Sequence, residues 1–402
     1  MLNNPLSDVV SQQYERWVYP DPILDLPAWT AENWQWFDPS HAHRVMWPDR
    51  PYRAGLDILV AGCGTNQAAV IAFTNPDASV VAVDVSQSSL DHHEFLKEKY
   101  GLANLELHRL PIEQLDSLQR DFDLIISTGV LHHLADPGAG MSSLARCLRQ
   151  DGVLALMLYA RYGRIGVEML QSVFRDMGLS QDEPSLEIVK SALQLAPADH
   201  PISSYLPLAP DVNVDGGLVD TFLHGRDKSF TVGECIALVE SSGLVFQDWF
   251  LKTSYYPPMS PETPFTAAVS KLPVEQQWSV MERVFSRNAC HFFMACRSDR
   301  PKDAYAIDFS SRDVLEYVPS FRYRCGLEGN EIVRDRWRIP LPTFDLAILR
   351  QIDGKLTIQQ AISNAARSEG FARESLTQLE ERGVRIIESL WQRDFLAIGI
   401  VR

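Results

Sequence analysis

A buried strand, a glycine turn and a second buried strand ending in an acid most constrain how this chain can fold. The run Leu56–Ala61, apolar except for Asp57, leads into the turn Gly62-Cys63-Gly64, and the apolar run Val80–Val83 ends at Asp84. Glycines let the backbone approach a ligand closely, and a carboxylate after the next strand can accept hydrogen bonds from ribose hydroxyls. The pattern therefore predicts a parallel α/β sheet with a nucleoside pocket.

The same turn departs from the fingerprint of dinucleotide-binding folds. That fingerprint reads Gly-x-Gly-x-x-Gly, and its third glycine allows tight packing of the helix on the strand. Here Gln67 holds the third position, which makes the helix N-terminus less suited to a pyrophosphate. A nicotinamide-dependent oxidoreductase remains an alternative interpretation, but the pattern favours a different nucleoside ligand.

Four motifs in order resemble those of the class I S-adenosylmethionine (SAM) methyltransferases over roughly residues 54–160. The glycine turn is similar to motif I of that family, and Leu110–Glu113 resembles its adenine-flanking loop. Phe122–Leu134 resembles its fourth strand with the following loop, and Gln150–Met157 its fifth strand. The resemblance implies an α/β fold with a Rossmann-like seven-stranded sheet, helices on both faces, and SAM as the cofactor.

The resemblance also implies which residues bind the cofactor. They follow the first four strands: Gly62, Cys63, Gly64, Asn66, Asp84, Val85, Pro111, Ile112, Thr128 and Gly129. Three positions depart from the family pattern. Val60 or Ala61 stands where an acid is frequent, Asn66 replaces a small residue, and Pro111 stands at a position that is often acidic. A non-catalytic binding protein with the same fold is therefore a third interpretation.

Methyl transfer from a sulfonium is an in-line displacement, so the enzyme mainly supplies proximity and alignment. A general base is needed only when the acceptor arrives protonated. The catalytic candidates are His133, Tyr159 and His224, and the acceptor-binding candidates are Tyr14, His132, Arg161, Tyr162 and Arg226. Each candidate also has a structural interpretation, since these side chains can hold loops or lie on an exposed turn. No metal-ligand spacing is seen, and His92-His93 is expected on a helix surface.

The pattern along the chain predicts three domains. Residues 1–53 form an arm with five of the nine tryptophans, which either packs on the next domain, covers the cofactor as a lid, or does both. Residues 54–298 form the methyltransferase domain, and about 160–230 form a lid over the acceptor. Residues 304–402 form an accessory domain.

The accessory domain is winged-helix-like from about residue 343. Three short helices, the last stopping near Gly383, precede the apolar strand Phe395–Ile400. This order resembles the winged-helix modules of peptide-modifying enzymes. A packing or dimerisation domain is the alternative.

Charge and composition limit the partners. The net charge of −15 argues against binding to nucleic acid or anionic membranes. The six scattered cysteines suit free thiols in a reducing cytoplasm, and neither a signal peptide nor a transmembrane run is expected. The sequence therefore predicts a cytoplasmic enzyme that methylates nitrogen or oxygen of a peptide, a protein or a small metabolite. A homodimer is left open.

Overall fold

The computed structural model describes residues 5–258, 263–335, 337–367 and 375–400. The chain divides into two compact units. The first unit comprises Met1–Phe37, Ala54–Phe246 and Pro273–Asp299, and the second Asp38–Arg53, Gln247–Leu272 and Arg300–Arg402. This division differs from the consecutive domains expected from the sequence, because two short segments group with the C-terminal residues.

The first unit is built on a seven-stranded sheet, of which only residues 247–249 of β6 are assigned to the second unit. Its strands are β1 Asp57–Ala61, β2 Ser79–Asp84, β3 Leu105–Arg109, β4 Phe122–Thr128, β5 Leu148–Tyr159, β6 Leu244–Trp249 and β7 Cys290–Arg297. The order is β3-β2-β1-β4-β5-β7-β6, with β1 to β5 parallel and β7 antiparallel to β5. The predicted Rossmann-like sheet is thereby confirmed. The strand order reverses between β1 and β4, where such sheets bind ligands beyond the carboxyl ends of the strands.

The helices follow in chain order. They are α1 Val9–Arg16, α2 Leu26–Glu32, α3 Pro39–Met46, α4 Gln67–Thr74, α5 Gln87–Tyr100, α6 Pro137–Arg146, α7 Ile165–Asp176, α8 Glu183–Leu195, α9 Ile202–Tyr205, α10 Asp215–Phe222, α11 Val232–Glu240, α12 Pro264–Val269, α13 Val274–Val284, α14 Thr343–Leu349, α15 Ile358–Ala366 and α16 Leu376–Gln392. None of the described helices is both long and apolar enough to cross a bilayer.

The two strands that carry the glycine turn and Asp84 are buried neighbours in the sheet. β1 and β2 consist almost wholly of buried apolar residues, as expected for central parallel strands covered on both faces. Because β1 and β2 are adjacent and parallel, the glycine turn after β1 and the acid at the end of β2 lie at the same edge of the sheet.

The region between β5 and α11 is a helical insertion. Helices α7 to α10 share an apolar core that includes Val167, Phe174, Val189 and Val219. The partly buried Trp17 of the N-terminal arm packs against this core. The insertion coincides with the segment predicted as an acceptor lid, and its closure over an acceptor stays a prediction.

The second unit has its own small sheets and apolar core. Strands β8 Val318–Phe321, β9 Cys325–Glu328, β10 Glu331–Arg334, β11 Trp337–Pro340 and β12 Leu396–Gly399 form an antiparallel β9-β10-β11 sheet and a β8-β12 pair. The core combines residues of these strands with helices α14 to α16. The three helices and final strand were expected, whereas their assignment to the winged-helix class stays a prediction.

One boundary predicted in this unit is wrong. Helix α16 does not stop near Gly383 but continues to Gln392. A Cβ atom on Gly383 would lie 2.5 Å from Ile362 Cδ1, so this glycine permits close packing of α16 on α15 instead of ending the helix.

Candidate active site

The glycine turn after β1 is bonded to the end of β2. The amides of Gly62 and Cys63 donate to the carbonyl of Val83 at 2.8 and 3.1 Å. The amide of Gly64 donates to Asp84 Oδ2 at 2.9 Å. Gly62 and Gly64 have φ values of 75° and 53°, in the left-handed region that glycine adopts without strain. The turn and the acid thus form one unit. Their binding of one cofactor stays a prediction.

Asp84 is held as a hydrogen-bond acceptor. Its Oδ1 accepts from the amide of Ser86 at 2.9 Å, in addition to the bond from Gly64 to Oδ2. Burial raises the pKa of Asp84 to about 6, against the opposing effect of these backbone donors. At neutral pH the group is therefore a carboxylate with oxygen lone pairs suited to ribose hydroxyls.

The N-terminal arm lies on the glycine turn. Asn66 Oδ1 accepts from the amide of Ile23, and its Nδ2 donates to the carbonyl of Asp21, both at 2.8 Å. Thr65 Oγ1 donates to the carbonyl of Pro20 at 2.6 Å. Asn66, a predicted cofactor residue, therefore uses its amide to hold the arm.

The arm also reaches the start of α5. Glu15 accepts from the amide of Gln87 at 2.6 Å and from Ser88 Oγ at 2.7 Å. These bonds satisfy donors at a helix N-terminus, where a carboxylate is favourable. Burial of aromatic residues and coverage of the cofactor region are both compatible with the arm's position.

Two other predicted cofactor residues lie at the end of β4. Thr128 Oγ1 accepts from Gln67 Nε2 at 3.1 Å, which links the end of β4 to the start of α4. Gly129 follows with a φ of 77°, and its amide donates to the carbonyl of Met157 at 3.2 Å. Both residues therefore lie close to the glycine turn, at the point where the strand order reverses.

The remaining predicted cofactor residues follow β2 and β3. The carbonyl of Val85 accepts from Arg109 Nε at 3.1 Å. Pro111 precedes a short 3-10 helix that begins at Ile112, and Ile112 is buried. The fold thus brings the predicted cofactor residues to one edge of the sheet.

Three histidines and a tyrosine form a cluster at the ends of β4 and β5. The ring of His132 stacks on Tyr159, and the ring of His133 stacks on His224, each with centroids 3.8 Å apart. His132 and His133 are buried, and their ring centroids lie 4.2 Å apart. All three catalytic candidates and the acceptor-binding candidate His132 are therefore in one place. We call this set the histidine cluster.

Asp220 joins the histidine cluster to the N-terminal arm. This α10 carboxylate accepts from the hydroxyl of Tyr14 at 2.7 Å and from that of Tyr159 at 3.1 Å. Burial raises the pKa of Asp220, and burial beside this acid raises that of both tyrosines. Asp220 was not among the predicted site residues, although its position among the apolar residues Leu218, Val219 and Phe222 of α10 is a signal in the sequence.

Arg164 and Asp227 form a buried pair beside the cluster. Arg164 Nη2 lies 2.8 Å from Asp227 Oδ2, and its guanidinium carbon lies 3.6 Å from the centre of the Tyr159 ring. Asp227 Oδ1 is 4.0 Å from His133 Nδ1. Sequence reasoning missed Arg164, because nothing in the local pattern shows that this arginine is buried.

The other acceptor-binding candidates have different surroundings. Arg161 donates to Glu234 Oε1 at 3.0 Å, at the start of α11. Arg226 donates to Asp8 Oδ2 at 3.1 Å. Tyr162 begins the short 3-10 helix that follows β5. Their part in acceptor binding stays a prediction.

His93 corrects an expectation about the surface. It lies on α5 with no exposed area, and burial lowers its pKa to about 4. The helical spacing of Leu90, His93 and Leu96 places this histidine on the apolar face of α5, and the structure buries that face.

Comparison with known proteins agrees with this architecture. Residues 59–154 match the family described as a methyltransferase domain. An uncharacterized protein of Synechococcus sp. is 25% identical over 94% of this chain and 93% of its own length. The trans-aconitate 2-methyltransferase of Deinococcus radiodurans is 28% identical over a matched region. That region covers 36% of this chain and 54% of the relative.

A solved structure extends the similarity to most of the chain. The structure of PKMT2 from Rickettsia typhi superposes on this one with a TM-score of 0.66 and 15% sequence identity. The match covers 90% of this chain and 75% of the PKMT2 chain. Its complex with AdoHcy gives a TM-score of 0.64. At this identity the likeness shows the fold. Together with the family match, it confirms the resemblance predicted from the four motifs.

Proposed function

Because this chain has the class I SAM-dependent methyltransferase fold and motifs, we propose that it transfers a methyl group from SAM to a nitrogen or oxygen of its acceptor. The observation that carries the proposal is the bonded unit of glycine turn and Asp84 at the reversal of the strand order. This unit fits the cofactor because a half-buried carboxylate lies beside a turn whose two glycines have no side chain.

The residues of the chain bind and orient the reactants. Asp84 would accept hydrogen bonds from the ribose hydroxyls of SAM, and the glycine turn and Gly129 would let the protein backbone approach the cofactor closely. Bound SAM supplies an electrophilic methyl group on a sulfonium. The arm and the helical insertion exclude water from the reaction. A proton on the acceptor passes to His133, which the fold holds beside Tyr159 and His224.

The acceptor is a peptide, a protein or a small metabolite. The second unit favours a peptide or protein, because an accessory domain adds surface for a large acceptor. The named relative from Deinococcus radiodurans is a trans-aconitate 2-methyltransferase, which favours a small acid instead.

The two rival functions are weaker. A nicotinamide-dependent oxidoreductase shares the strand, turn and acid, but the family match of residues 59–154 is to a methyltransferase domain. A non-catalytic binding protein was suggested by the departures at Val60 and Asn66. Asn66 holds the arm in place, which gives this departure a structural purpose.

Calorimetric titration with SAM and AdoHcy tests the cofactor. We expect both to bind the wild-type chain, and Asp84→Asn to weaken both at neutral pH. Asp77→Asn is the matched control, since Asp77 is exposed. Absence of heat and of thermal protection at millimolar ligand would refute the proposal. Incorporation of a labelled methyl group into peptide, protein or metabolite pools then separates an enzyme from a binding protein.

A further inference from the structure

The backbone fixes the proton of His133. Its Nδ1 lies 2.9 Å from the carbonyl oxygen of Arg226. A carbonyl can only accept, so Nδ1 carries the hydrogen and Nε2 keeps a lone pair in the neutral ring. His133 is therefore oriented to take a proton at Nε2.

The other two histidines of the cluster have the opposite tautomer. His132 Nδ1 accepts from the amide of Tyr159 at 3.3 Å, and His224 Nδ1 accepts from the amide of Arg226 at 3.0 Å. An amide can only donate, so in both rings the hydrogen is on Nε2. Burial, with nearby His133, lowers the pKa of both rings well below the ordinary value, so they are neutral.

These tautomers leave two donors without acceptors. Nε2 of His132 and Nε2 of His224 are buried and have no hydrogen-bond partner among the residues that the structure describes. Buried polar groups are nearly always paired in folded proteins, and exceptions call for a functional explanation. An oxygen atom with a free lone pair could accept a hydrogen bond from either of them.

The same tautomers disfavour a metal. His133, Asp220 and His224 each bring a ligand atom to within 4.8 Å of the others, as do His132, His133 and Asp227. However, Nε2 of His132 and of His224 could coordinate a metal only after a change of tautomer, which would lose the hydrogen bond that each Nδ1 accepts. Asp227 is already paired with the Arg164 guanidinium. The cluster is thus better suited to a neutral organic group.

We propose that the histidine cluster is a subsite for a hydroxyl acceptor, an alcohol, a phenol or an enol. The hydroxyl donates to His133 Nε2, while Nε2–H of His132 or His224 donates to its oxygen. A hydroxyl oxygen has two lone pairs, one to attack the methyl group and one to accept a hydrogen bond. A neutral amine has a single lone pair and leaves both histidine donors unpaired. This inference rests on the proposed methyl transfer and narrows its acceptor to oxygen.

The reaction balances without another reactant. The acceptor oxygen forms a bond to the methyl carbon as the bond from that carbon to the sulfonium sulfur breaks. The electron pair of that bond stays on sulfur, which becomes a neutral thioether. The hydroxyl proton passes to His133 Nε2, and the resulting imidazolium keeps its Nδ1–H toward the carbonyl of Arg226 and toward Asp227.

Nitrogen NMR of ¹⁵N-histidine-labelled protein with AdoHcy tests the assignment at pH 7. Resonances are assigned with His132→Gln, His133→Gln and His224→Gln, and His108→Gln is the control from outside the cluster. We expect an Nδ1–H tautomer for His133 and neutral Nε2–H tautomers for His132 and His224. An Nδ1–H or a cationic ring at either of the last two positions would overturn the proposal.

Two further readouts separate the outcomes. Zinc titration should show no stoichiometric site that depends on His133, and such a site would contradict the tautomers. The methylated product from labelled SAM should carry the label on oxygen. A label on nitrogen would overturn the oxygen subsite while the methyltransferase proposal stands, whereas a failure to bind AdoHcy would overturn the methyltransferase proposal itself.

Discussion

At the scale of single residues, the glycine turn shows which positions allow no side chain. A Cβ on Gly62 would lie 2.4 Å from Val130 Cγ2 and 2.8 Å from its Cγ1. Gly101 at the end of α5 also has a positive φ, yet no atom would lie within 4 Å of an added Cβ. Replacing each glycine by alanine therefore separates two losses of stability. Both replacements strain the backbone, but only the one at Gly62 also creates a steric clash.

Gly62→Ala should destabilise the first unit by roughly 2–5 kcal/mol, because it combines a left-handed conformation with overpacking. Gly101→Ala should cost only about 1–2 kcal/mol, since it has the first cost alone. Chemical denaturation of both variants measures the difference. Equal losses would show that the turn relaxes away from Val130.

Asp84 gives a prediction about pH. Its pKa is raised to about 6, so the carboxylate is protonated, and loses acceptor capacity, as the pH falls below that value. The affinity for AdoHcy should fall up to about tenfold per pH unit below pH 6, while Asp84→Asn should bind weakly with little pH dependence there. Calorimetry from pH 5 to 7.5, with circular dichroism to confirm folding, measures this. The raised pKa also affects folding. Because the unfolded chain has the ordinary, lower pKa, the folded state loses stability as the pH rises through 6. An affinity that is flat down to pH 5 would contradict the role of Asp84.

At the scale of elements, residues 20–23 of the N-terminal arm are held on the glycine turn by side-chain hydrogen bonds. Asn66 joins it through two hydrogen bonds to the backbone at Asp21 and Ile23, and Thr65 through one to Pro20. An arm attached in this way can open without unfolding of the sheet, which is the behaviour a cofactor lid needs.

Asn66→Ala should open the arm more often. Loss of two hydrogen bonds of about 1 kcal/mol each predicts roughly a tenfold or greater increase in proteolytic cleavage within residues 17–25. Asn213→Ala is the control, because Asn213 only donates to Pro210 three residues away. Limited proteolysis with mass spectrometry measures the rates, and AdoHcy should slow cleavage of the wild type. Cleavage at equal rates in both variants would argue against the lid.

At the scale of the whole molecule, the second unit has a charged residue in its interior. Asp394 is 2% exposed and accepts from the amide of Lys252 at 2.9 Å, from Thr253 Oγ1 at 2.8 Å and from Arg322 Nη1 at 2.9 Å. It thereby links residues of the segment Gln247–Leu272 to the C-terminal strands. These bonds hold segments that are distant in sequence together within the unit.

Asp394→Asn should destabilise the second unit by roughly 3–5 kcal/mol, because the buried Arg322 loses its counter-charge. Asp335→Asn is the matched control, since both aspartates have a positive φ and Asp335 is exposed. Hydrogen exchange measured on peptides from Gln247–Leu272 and from the C-terminal strands reports the loss locally. Unchanged protection in Asp394→Asn would show that the pair contributes little.

The sequence by itself determined the sheet, the glycine turn and Asp84. These features follow from patterns within a few tens of residues, where strand periodicity and the conformational freedom of glycine act locally. Gly383 marks the limit of such reasoning. It allows α16 to pack closely on α15, and a contact between two helices cannot be read from a local pattern.

Only the tertiary structure decided the histidine cluster. Asp220 meets Tyr14 across 206 residues of sequence, and the carbonyl of Arg226 fixes the tautomer of His133 across 93. The side chains themselves were visible in the sequence, but their protons and partners depend on packing between distant segments. Hydrogen bonding is set by distances of about 3 Å, which only the folded chain defines.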